Sequence, residues 1–440
     1  MNATDPVAEA RALLASGDAR AAFLALRPAI VAWRDPLDES EFSLRFTLFA
    51  SIAKSIAGED FAARIRALVA RPDDAQVHYD AGYALYEQRL FDIAATVLLR
   101  ANRLAPGQKA IVTELSASLE ACMAYDVAFL ALGSSGLAET DPLCAYLLGF
   151  NSIMSGDRDT ARSVIPRITG DDTTMSTIRD SLAGMLARAD AIHVAVPLDV
   201  HELTGWHATI NGTLLLHESP HGLDAGMNGR YAFVGDSQGL MREGIERLGT
   251  LLERESIRST RVVSAPDRAS HVLGLAVAKS LGLAHVPWRE GDTGEGLFCC
   301  WDLDAAGDAK FLQAMRHHAP GRVLFAHVSN WVEPFPFAPD VTTLLAQQCT
   351  HPYTGGAMRF DPASQKVMQA EPDARGDEAL ANEIVGASIT DPSHRSLDAC
   401  LAVASACRAL PENARLGVHR PQGHRARQRA GGPVRSNWFR

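Results

Sequence analysis

Apolar positions in the first part of the chain recur with the period of an α-helix. Between residues 75 and 108 they mark two amphipathic segments joined by a short polar turn, which predicts a pair of packed helices. A small residue of the second segment, Ala94, recurs as Ala128 and Ala161, at spacings of 34 and 33 residues. Repeats of this length arise when one helical pair stacks on the next. The pattern therefore predicts a helical-repeat solenoid over residues 1–192.

Four residues of this stretch, Gly82, Ala94, Ala101 and Pro106, stand where tetratricopeptide repeats place their small packing residues and a helix-ending proline. Residues 75–108 therefore resemble a tetratricopeptide repeat, and the neighbouring segments resemble divergent copies of it. The resemblance implies a concave groove that binds a protein or peptide partner. The alternative is that the stack only supports the second domain or forms a homo-oligomer.

From residue 193 the apolar pattern changes to that of strands. Short apolar runs then alternate with helical patterns, which predicts a three-layer α/β domain over residues 193–415 with a mostly parallel sheet. The predicted fold class is α + α/β, with the helical-repeat solenoid first and this domain second.

Several elements of the second domain are predicted individually. The run 193–198 is expected to be a strand, and Asn211-Gly212, between two apolar runs, predicts a β-hairpin. A helix is expected at 340–349 and another hairpin at 356–371.

The chain is acidic overall but ends in a basic segment. Its net charge is −10, yet residues 408–440 hold eight arginines and a single acid, which leaves −17 for residues 1–407. An acidic body disfavours nucleic acid as a partner, because phosphate binding relies on Lys and Arg. The end of the chain, residues 416–440, lacks an apolar period and predicts a mobile arginine-rich tail.

Composition also bears on localisation. No stretch has the roughly 18 consecutive apolar residues of a membrane span, and the N-terminus lacks the pattern of a secretory signal. The seven cysteines are scattered without the spacing of metal ligands, which favours reduced thiols. We therefore expect a cytoplasmic protein with no membrane partner.

One short motif suggests zinc chemistry. Residues 217–221 match the HExxH pattern, in which two histidines bind zinc and the glutamate activates water. That site needs a continuous helix, whereas the residues before His217 predict a strand and Pro220 interrupts a helix. Glu243 and Glu246 are candidate third ligands. The alternative is a loop at the end of a strand.

The main candidate for a ligand site follows the apolar run 297–301. Asp302 and Asp304 come next, and Gly307 lies in a loop of small residues before a helix. Parallel sheets bind ligands at the carboxyl ends of their strands, and the free N–H groups of a helix start bind anions. The segment is similar to the phosphoribosyl pyrophosphate loop of phosphoribosyltransferases, which implies that Asp302 and Gly307 bind that ligand. Trp301 stands where this family has its other acid.

Two more resemblances concern the same carboxylates. The segment is similar to the DxD strand of haloacid-dehalogenase-type phosphatases, which implies Asp302 as nucleophile, Asp304 as acid/base and Ser329 as phosphate ligand. It is also similar to the metal-binding DxD motif of nucleotide-sugar glycosyltransferases, which implies that both carboxylates hold Mg²⁺ or Mn²⁺. In the simplest alternative, the two aspartates only cap the following helix.

A second group of candidates follows the preceding strand. Residues 262–274 resemble a strand of tetratricopeptide-linked O-glycosyltransferases, and they contain Asp267, Arg268 and His271. Because the carboxyl ends of parallel strands meet at one edge of a sheet, we expect these three side chains to face the same crevice as Asp302.

Two functions fit these patterns. The first is a scaffold, in which the repeats bind a protein partner and the α/β domain keeps a phosphate- or nucleotide-sized crevice. The second is a transferase or phosphatase that acts on a phosphorylated or nucleotide-linked substrate. Asp302, Asp304 and Asp308 would repel a bare phosphate, so we expect ligand binding there to require Mg²⁺ or Mn²⁺.

Overall fold

A computed structural model of the 440-residue chain describes residues 5–170, 173–221, 226–355, 358–362, 365–389 and 395–436. The chain divides into two compact units, Met1–Arg179 and Asp180–Arg440. The division falls inside a long helix, Thr173–Ala195, earlier in the chain than the predicted boundary after residue 192. No helix within the described ranges is long and apolar enough to cross a membrane.

The first unit is built from helices that pack in consecutive pairs. Its helices are α1 (Pro6–Ala15), α2 (Ala19–Ile30), α3 (Glu39–Ala57), α4 (Glu59–Ala70), α5 (Ala75–Glu87), α6 (Phe91–Leu104), α7 (Lys109–Ala121), α8 (Tyr125–Ser135), α9 (Pro142–Met154) and α10 (Arg158–Val164). Short 3₁₀ turns follow α8 at Leu137–Glu139 and α10 at Ile165–Arg167.

Local sequence explains where these helices begin and how closely they pack. An aspartate accepts a hydrogen bond from the backbone of the first turn in many of them, as Asp18 does from the N–H of Ala21 at 2.9 Å. Ala94, Ala128 and Ala161 are fully buried at equivalent places in α6, α8 and α10. The predicted helical-repeat architecture is confirmed.

The second unit holds one large sheet and the helices around it. Its strands are β1 (Leu214–Leu215), β2 (Tyr231–Gly235), β3 (Arg261–Ser264), β4 (Ala284–Pro287), β5 (Gly296–Asp302), β6 (Arg322–Ser329) and β7 (Val341–Thr350). A separate antiparallel hairpin pairs β8 (Met358–Asp361) with β9 (Lys366–Gln369). Its helices are α11 (Thr173–Ala195), α12 (Leu203–Asn211), α13 (Gln238–Arg254), α14 (Arg268–Leu281), α15 (Ala309–Met315), α16 (Asp377–Gly386) and α17 (Arg395–Cys407).

The described pairings of the large sheet are all parallel. The strand order is β4-β3-β5-β6-β7, and β1 and β2 pair with successive parts of β7. Val263 of β3 packs in one hydrophobic cluster with Phe311 of α15, whereas the next residue, Ser264, lies against Gly274 of α14. Helices therefore cover both faces. The predicted three-layer α/β arrangement and its mostly parallel sheet are confirmed. The hairpin predicted at 356–371 is confirmed as well. Residues 356, 357, 363 and 364 of that range lie outside the described residues.

Two predicted strand elements near the start of this unit are wrong. Helix α11 continues to Ala195, through the residues expected to begin a strand at 193. Asn211 ends α12, and Gly212 has a φ of +68° with its N–H bonded to the carbonyl of Ala208. A glycine in the left-handed region serves a helix end as well as it serves a hairpin turn, so Asn-Gly alone does not distinguish the two.

The helix predicted at 340–349 is also wrong, because this segment forms β7. Its first residues, Val341 to Ala346, are all buried, so both faces of the strand are covered there. A strand that is buried on both faces shows no alternation of apolar and polar residues, so its pattern does not separate it from a buried helix. The β-branched side chains of Val341, Thr342 and Thr343 favour the strand.

The arginine-rich end of the chain is packed rather than mobile, and that prediction is wrong for residues 416–436. Leu416 and Val434 are fully buried. The guanidinium of Arg425 donates to both carboxylate oxygens of buried Asp340, at 3.1 and 2.7 Å, and to the carbonyl of Met315 at 2.6 Å. A charged residue can anchor a segment when its partner is buried and its donors are satisfied. The apolar pattern of the sequence does not reveal an anchor of this kind. Residues 437–440 lie outside the described part.

Candidate functional site

A buried polar cluster lies at the carboxyl edge of the sheet. It consists of Asp236, which follows β2, Trp301 in β5, His327 in β6 and His351, which follows β7. The indole N–H of Trp301 donates to Asp236 Oδ2 at 2.7 Å, and His327 Nε2 lies 3.2 Å from Asp236 Oδ1. The rings of Trp301 and His351 meet edge to face, with centroids 4.8 Å apart. We call these four residues the carboxylate–imidazole cluster.

The electrostatics of this cluster favour an ionised Asp236. Burial alone would raise the pKa of its carboxyl group, but His327 and the hydrogen bond from Trp301 outweigh burial and hold the pKa below 3.8. Burial lowers the pKa of His351 to about 4, so that imidazole is neutral at neutral pH. His327 Nδ1 is buried and has no hydrogen-bond partner among the described residues. With Nε2 oriented by Asp236, this second nitrogen can accept a proton.

Asp302 and Asp304 lie beside this cluster, in different surroundings. Asp302 is half-buried, and its Oδ1 accepts from the backbone N–H of Asp304 at 3.0 Å. Burial and the neighbouring charge of Asp267 raise the pKa of Asp302. Asp304 is exposed as a whole residue, yet desolvation of its carboxylate by nearby protein atoms, with the charges of Asp302 and Glu333, raises its pKa to about 6.

Neither aspartate caps the following helix, so that alternative is wrong. Asp308 is the N-cap of α15, and its Oδ1 accepts from the N–H of Phe311 at 2.8 Å. Asp302 instead closes a turn within its own loop.

The group after β3 separates in the structure. Asp267 caps α14 through the N–H of Ser270 at 2.8 Å, and it lies near enough to Asp302 to affect its pKa. Arg268 turns to the start of α16, where it binds Asp377 at 2.9 Å. His271 packs against His285, with ring centroids 4.9 Å apart. The prediction that Arg268 and His271 share the crevice of Asp302 is therefore wrong.

The two remaining candidates, Ser329 and Gly307, have structural roles, although Ser329 follows Val328, which pairs with Asp302 between β5 and β6. Ser329 is buried and shares a hydrogen bond of 2.9 Å with Thr342 Oγ1, so its hydroxyl is already engaged. Gly307 has a φ of +60° in an exposed loop, as a tight turn requires. Of the seven predicted site residues, the structure brings together Asp267, Asp302 and Asp304.

The sequence reasoning missed Asp236, His327 and His351. His327 carries a detectable signal, because it is the one ionisable residue inside the otherwise apolar strand run 323–328. A buried ionisable side chain needs a partner, so His327 by itself indicates that a polar or charged group packs against it. Asp236 lies 91 residues earlier, and nothing local marks it as that partner.

The HExxH segment, residues 217–221, is a loop after a strand rather than a helix. This agrees with the alternative to the zinc site. His217 Nδ1 lies 2.7 Å from Glu243 Oε1, and its Nε2 lies 2.8 Å from the hydroxyl of Tyr231, so both ring nitrogens are engaged. Glu218 accepts from Thr204 at 2.8 Å. In the described ranges, no group of three or more His, Cys, Asp or Glu side chains is placed to hold a metal ion.

Compared with protein-family models, curated proteins and solved structures, the chain gives no match. The resemblances to tetratricopeptide repeats and to phosphoribosyltransferases therefore stay predictions.

Proposed function

We propose that the protein is an interaction scaffold whose helical repeats bind a peptide segment of a partner protein. Support comes from an open furrow in the first unit with a volume of about 580 Å³. The furrow is lined by one residue of α1 and six of α3, namely Arg11, Ser40, Ser43, Leu44, Thr47, Leu48 and Ser51.

The chemistry of this furrow favours an acidic peptide. Four of its seven lining residues carry hydroxyl groups. Those of Ser40 and Ser51 already donate to Asp38 and to the carbonyl of Thr47, but each can still accept from the backbone N–H of an extended segment. Leu44 is 50% exposed and offers an apolar contact at the centre. Arg11 is exposed and supplies a guanidinium, the group best suited to bind a carboxylate with two hydrogen bonds.

The test selects binders from a random decapeptide library on the full-length chain and measures the affinities of resynthesised peptides by fluorescence anisotropy. We expect acidic decapeptides to be enriched. Arg11→Glu should weaken their binding about tenfold or more, because it replaces an attraction by a repulsion worth about 1.4 kcal/mol.

Arg20→Glu is the matched control, since Arg20 is an exposed arginine on α2 that does not line the furrow. Equal loss in both variants would reflect net charge alone. Neutral peptides that bind as tightly as acidic ones would count against the proposal.

A second candidate function is favoured by the carboxylate–imidazole cluster. An ionised Asp236 that orients His327, with Nδ1 left to accept a proton, is the arrangement of a general base. Asp302 and Asp304 beside it could hold Mg²⁺ or Mn²⁺, since Mg²⁺ is commonly bound by one or two carboxylates together with substrate phosphates. On this view the second unit acts on a phosphorylated or nucleotide-linked substrate, as a transferase or phosphatase.

A further inference from the structure

A small cavity in the second unit is lined by an unusual number of arginines. Four arginines, Arg188, Arg415, Arg420 and Arg425, border it together with His318 and Asp340. Its volume of about 10 Å³ is close to the space that one water-sized occupant requires. We call it the arginine cavity.

The positive charges around the arginine cavity exceed the negative charge that lines it. Asp340 is the one acid among the lining residues, and it is already engaged by Arg425 and by the N–H of Leu324 at 2.7 Å. Burial lowers the pKa of His318 to about 4, so this imidazole adds no counter-charge and no cation at neutral pH. Asp340 also attracts Arg420, but this single carboxylate cannot neutralise four guanidinium groups.

Arg188 and Arg415 are held by neutral groups, and Arg415 Nε donates to the carbonyl of Leu410 at 2.9 Å. Arg188 is 5% exposed and donates to the carbonyls of Thr209 and Ala414. Burial, with a contribution from the like charge of Arg420, lowers the pKa of Arg188 to about 10. Carbonyl groups accept the hydrogen bonds of a buried cation but do not neutralise its charge. Burying a cation without an opposite charge costs free energy.

Unused hydrogen-bond capacity lies at the same place. In the described part of the chain, Arg420 Nε is a buried atom without a hydrogen-bond partner, and His318 Nδ1 makes no hydrogen bond although it lies 3.4 Å from Asp340 Oδ1. Besides Asp340, exposed Glu412 attracts Arg420, but it does not line the cavity. An anion that accepts hydrogen bonds would balance the positive charge of the arginines and would also accept from the unused donors.

We propose that the arginine cavity binds one monoatomic anion, chloride under ordinary conditions. Chloride is only somewhat larger than a water molecule, so the lining side chains need to move little to admit it, whereas phosphate or sulfate brings five heavy atoms. The anion would join Arg415, Arg420 and Arg425 of the C-terminal segment to Arg188 of α11. It would thereby hold residues 415–425 against the body of the second unit.

The experiment measures urea unfolding of the full-length chain while chloride replaces gluconate at constant ionic strength. Tryptophan fluorescence reports mainly the second unit, which contains five of the six tryptophans, the other being Trp33 of the first unit. Above the dissociation constant, each tenfold rise in chloride should lower the unfolding equilibrium constant about tenfold, because one ion binds only the native state.

Arg420→Gln should abolish this chloride dependence. Arg427→Gln should retain it, because Arg427 is an exposed arginine of the same segment that does not line the cavity. In crystals of the unmodified chain soaked in bromide, one anomalous peak should lie between Arg188 and Arg420, which tests the site even if a variant fails to fold.

Equal unfolding constants in chloride and gluconate would overturn the proposal. A stabilisation by sulfate as large as that by chloride would overturn the monoatomic assignment. Absence of a bromide peak from the arginine cavity would show that the anion does not bind there.

Discussion

Asp302 and Asp304 show how surroundings prepare individual side chains for a cation. Both carboxyl groups have raised pKa values, Asp302 through burial and Asp304, at about 6, through desolvation and its acidic neighbours. A divalent cation between them would remove the repulsion that raises both values. Below pH 6 a proton competes for Asp304, so cation binding should weaken as the pH falls from 7 to 5.

We predict that Asp302→Asn abolishes metal-dependent binding of nucleotides or phosphoribosyl pyrophosphate by the second unit. The variant loses a charge but should keep its fold, because the asparagine Oδ1 can still accept from the N–H of Asp304. Calorimetric titration of a nucleotide panel, with and without Mg²⁺ or Mn²⁺, measures the effect.

Asp308→Asn is the control, since asparagine caps a helix as well as aspartate does. Binding that persists without metal would contradict the role given to Asp302. If no ligand of the panel produces heat, the enzyme candidate fails and the scaffold remains.

At the scale of elements, close packing of helix pairs depends on positions where a side chain has no room. A Cβ added at Gly82 of α5 would lie 2.5 Å from Leu98 Cγ, inside the fully buried interface with α6. At Gly133 of α8 the nearest atom would be 4.0 Å away. The two glycines therefore have opposite consequences for the same substitution.

We predict that Gly82→Ala destabilises the first unit by about 1–2 kcal/mol. Overpacking costs about 1–3 kcal/mol, which exceeds the gain of about 1 kcal/mol in helix propensity. Gly133→Ala should stabilise it by about 0.5–1 kcal/mol, since only the propensity gain applies. Urea unfolding followed by far-UV circular dichroism measures both, and changes of the same sign would contradict the packing argument.

At the scale of the whole molecule, the second unit buries several neutral histidines. Burial lowers the pKa of His207 to about 3 and those of His318 and His351 to about 4. In the unfolded chain each pKa is about 6.5. Below that pH the unfolded state binds protons that the native state does not, so stability is lost as the pH falls from about 6.5 to about 4.

We predict that the free energy of unfolding of the second unit decreases by up to about 1.4 kcal/mol per pH unit for each of these histidines in that range. His207→Gln should reduce the slope of the unfolding free energy against pH by the contribution of one histidine. His201→Gln, at an exposed position, should leave it unchanged. Urea unfolding followed by tryptophan fluorescence at pH 4.5, 5.5 and 6.5 gives the slopes, and identical slopes for both variants would contradict this assignment.

Local pattern alone determined much of the architecture. Helical periodicity and the recurrence of Ala94, Ala128 and Ala161 predicted the stacked helices, because both depend on residues within one or two turns of each other. The alternation of strands and helices predicted a parallel sheet, since parallel strands need a connection that crosses the sheet. The same reasoning placed Asp302 and Asp304 at the end of a strand.

Only the tertiary structure decided which distant groups meet. Asp236 reaches His327 because β2 and β6 both lie next to β7, an order that no periodicity encodes. The C-terminal segment is anchored by Arg425 on buried Asp340, a contact across 85 residues in a stretch without apolar period. Buried charge pairs depend on where the chain returns to itself, and that is set by the packing of the whole unit rather than by neighbours in sequence.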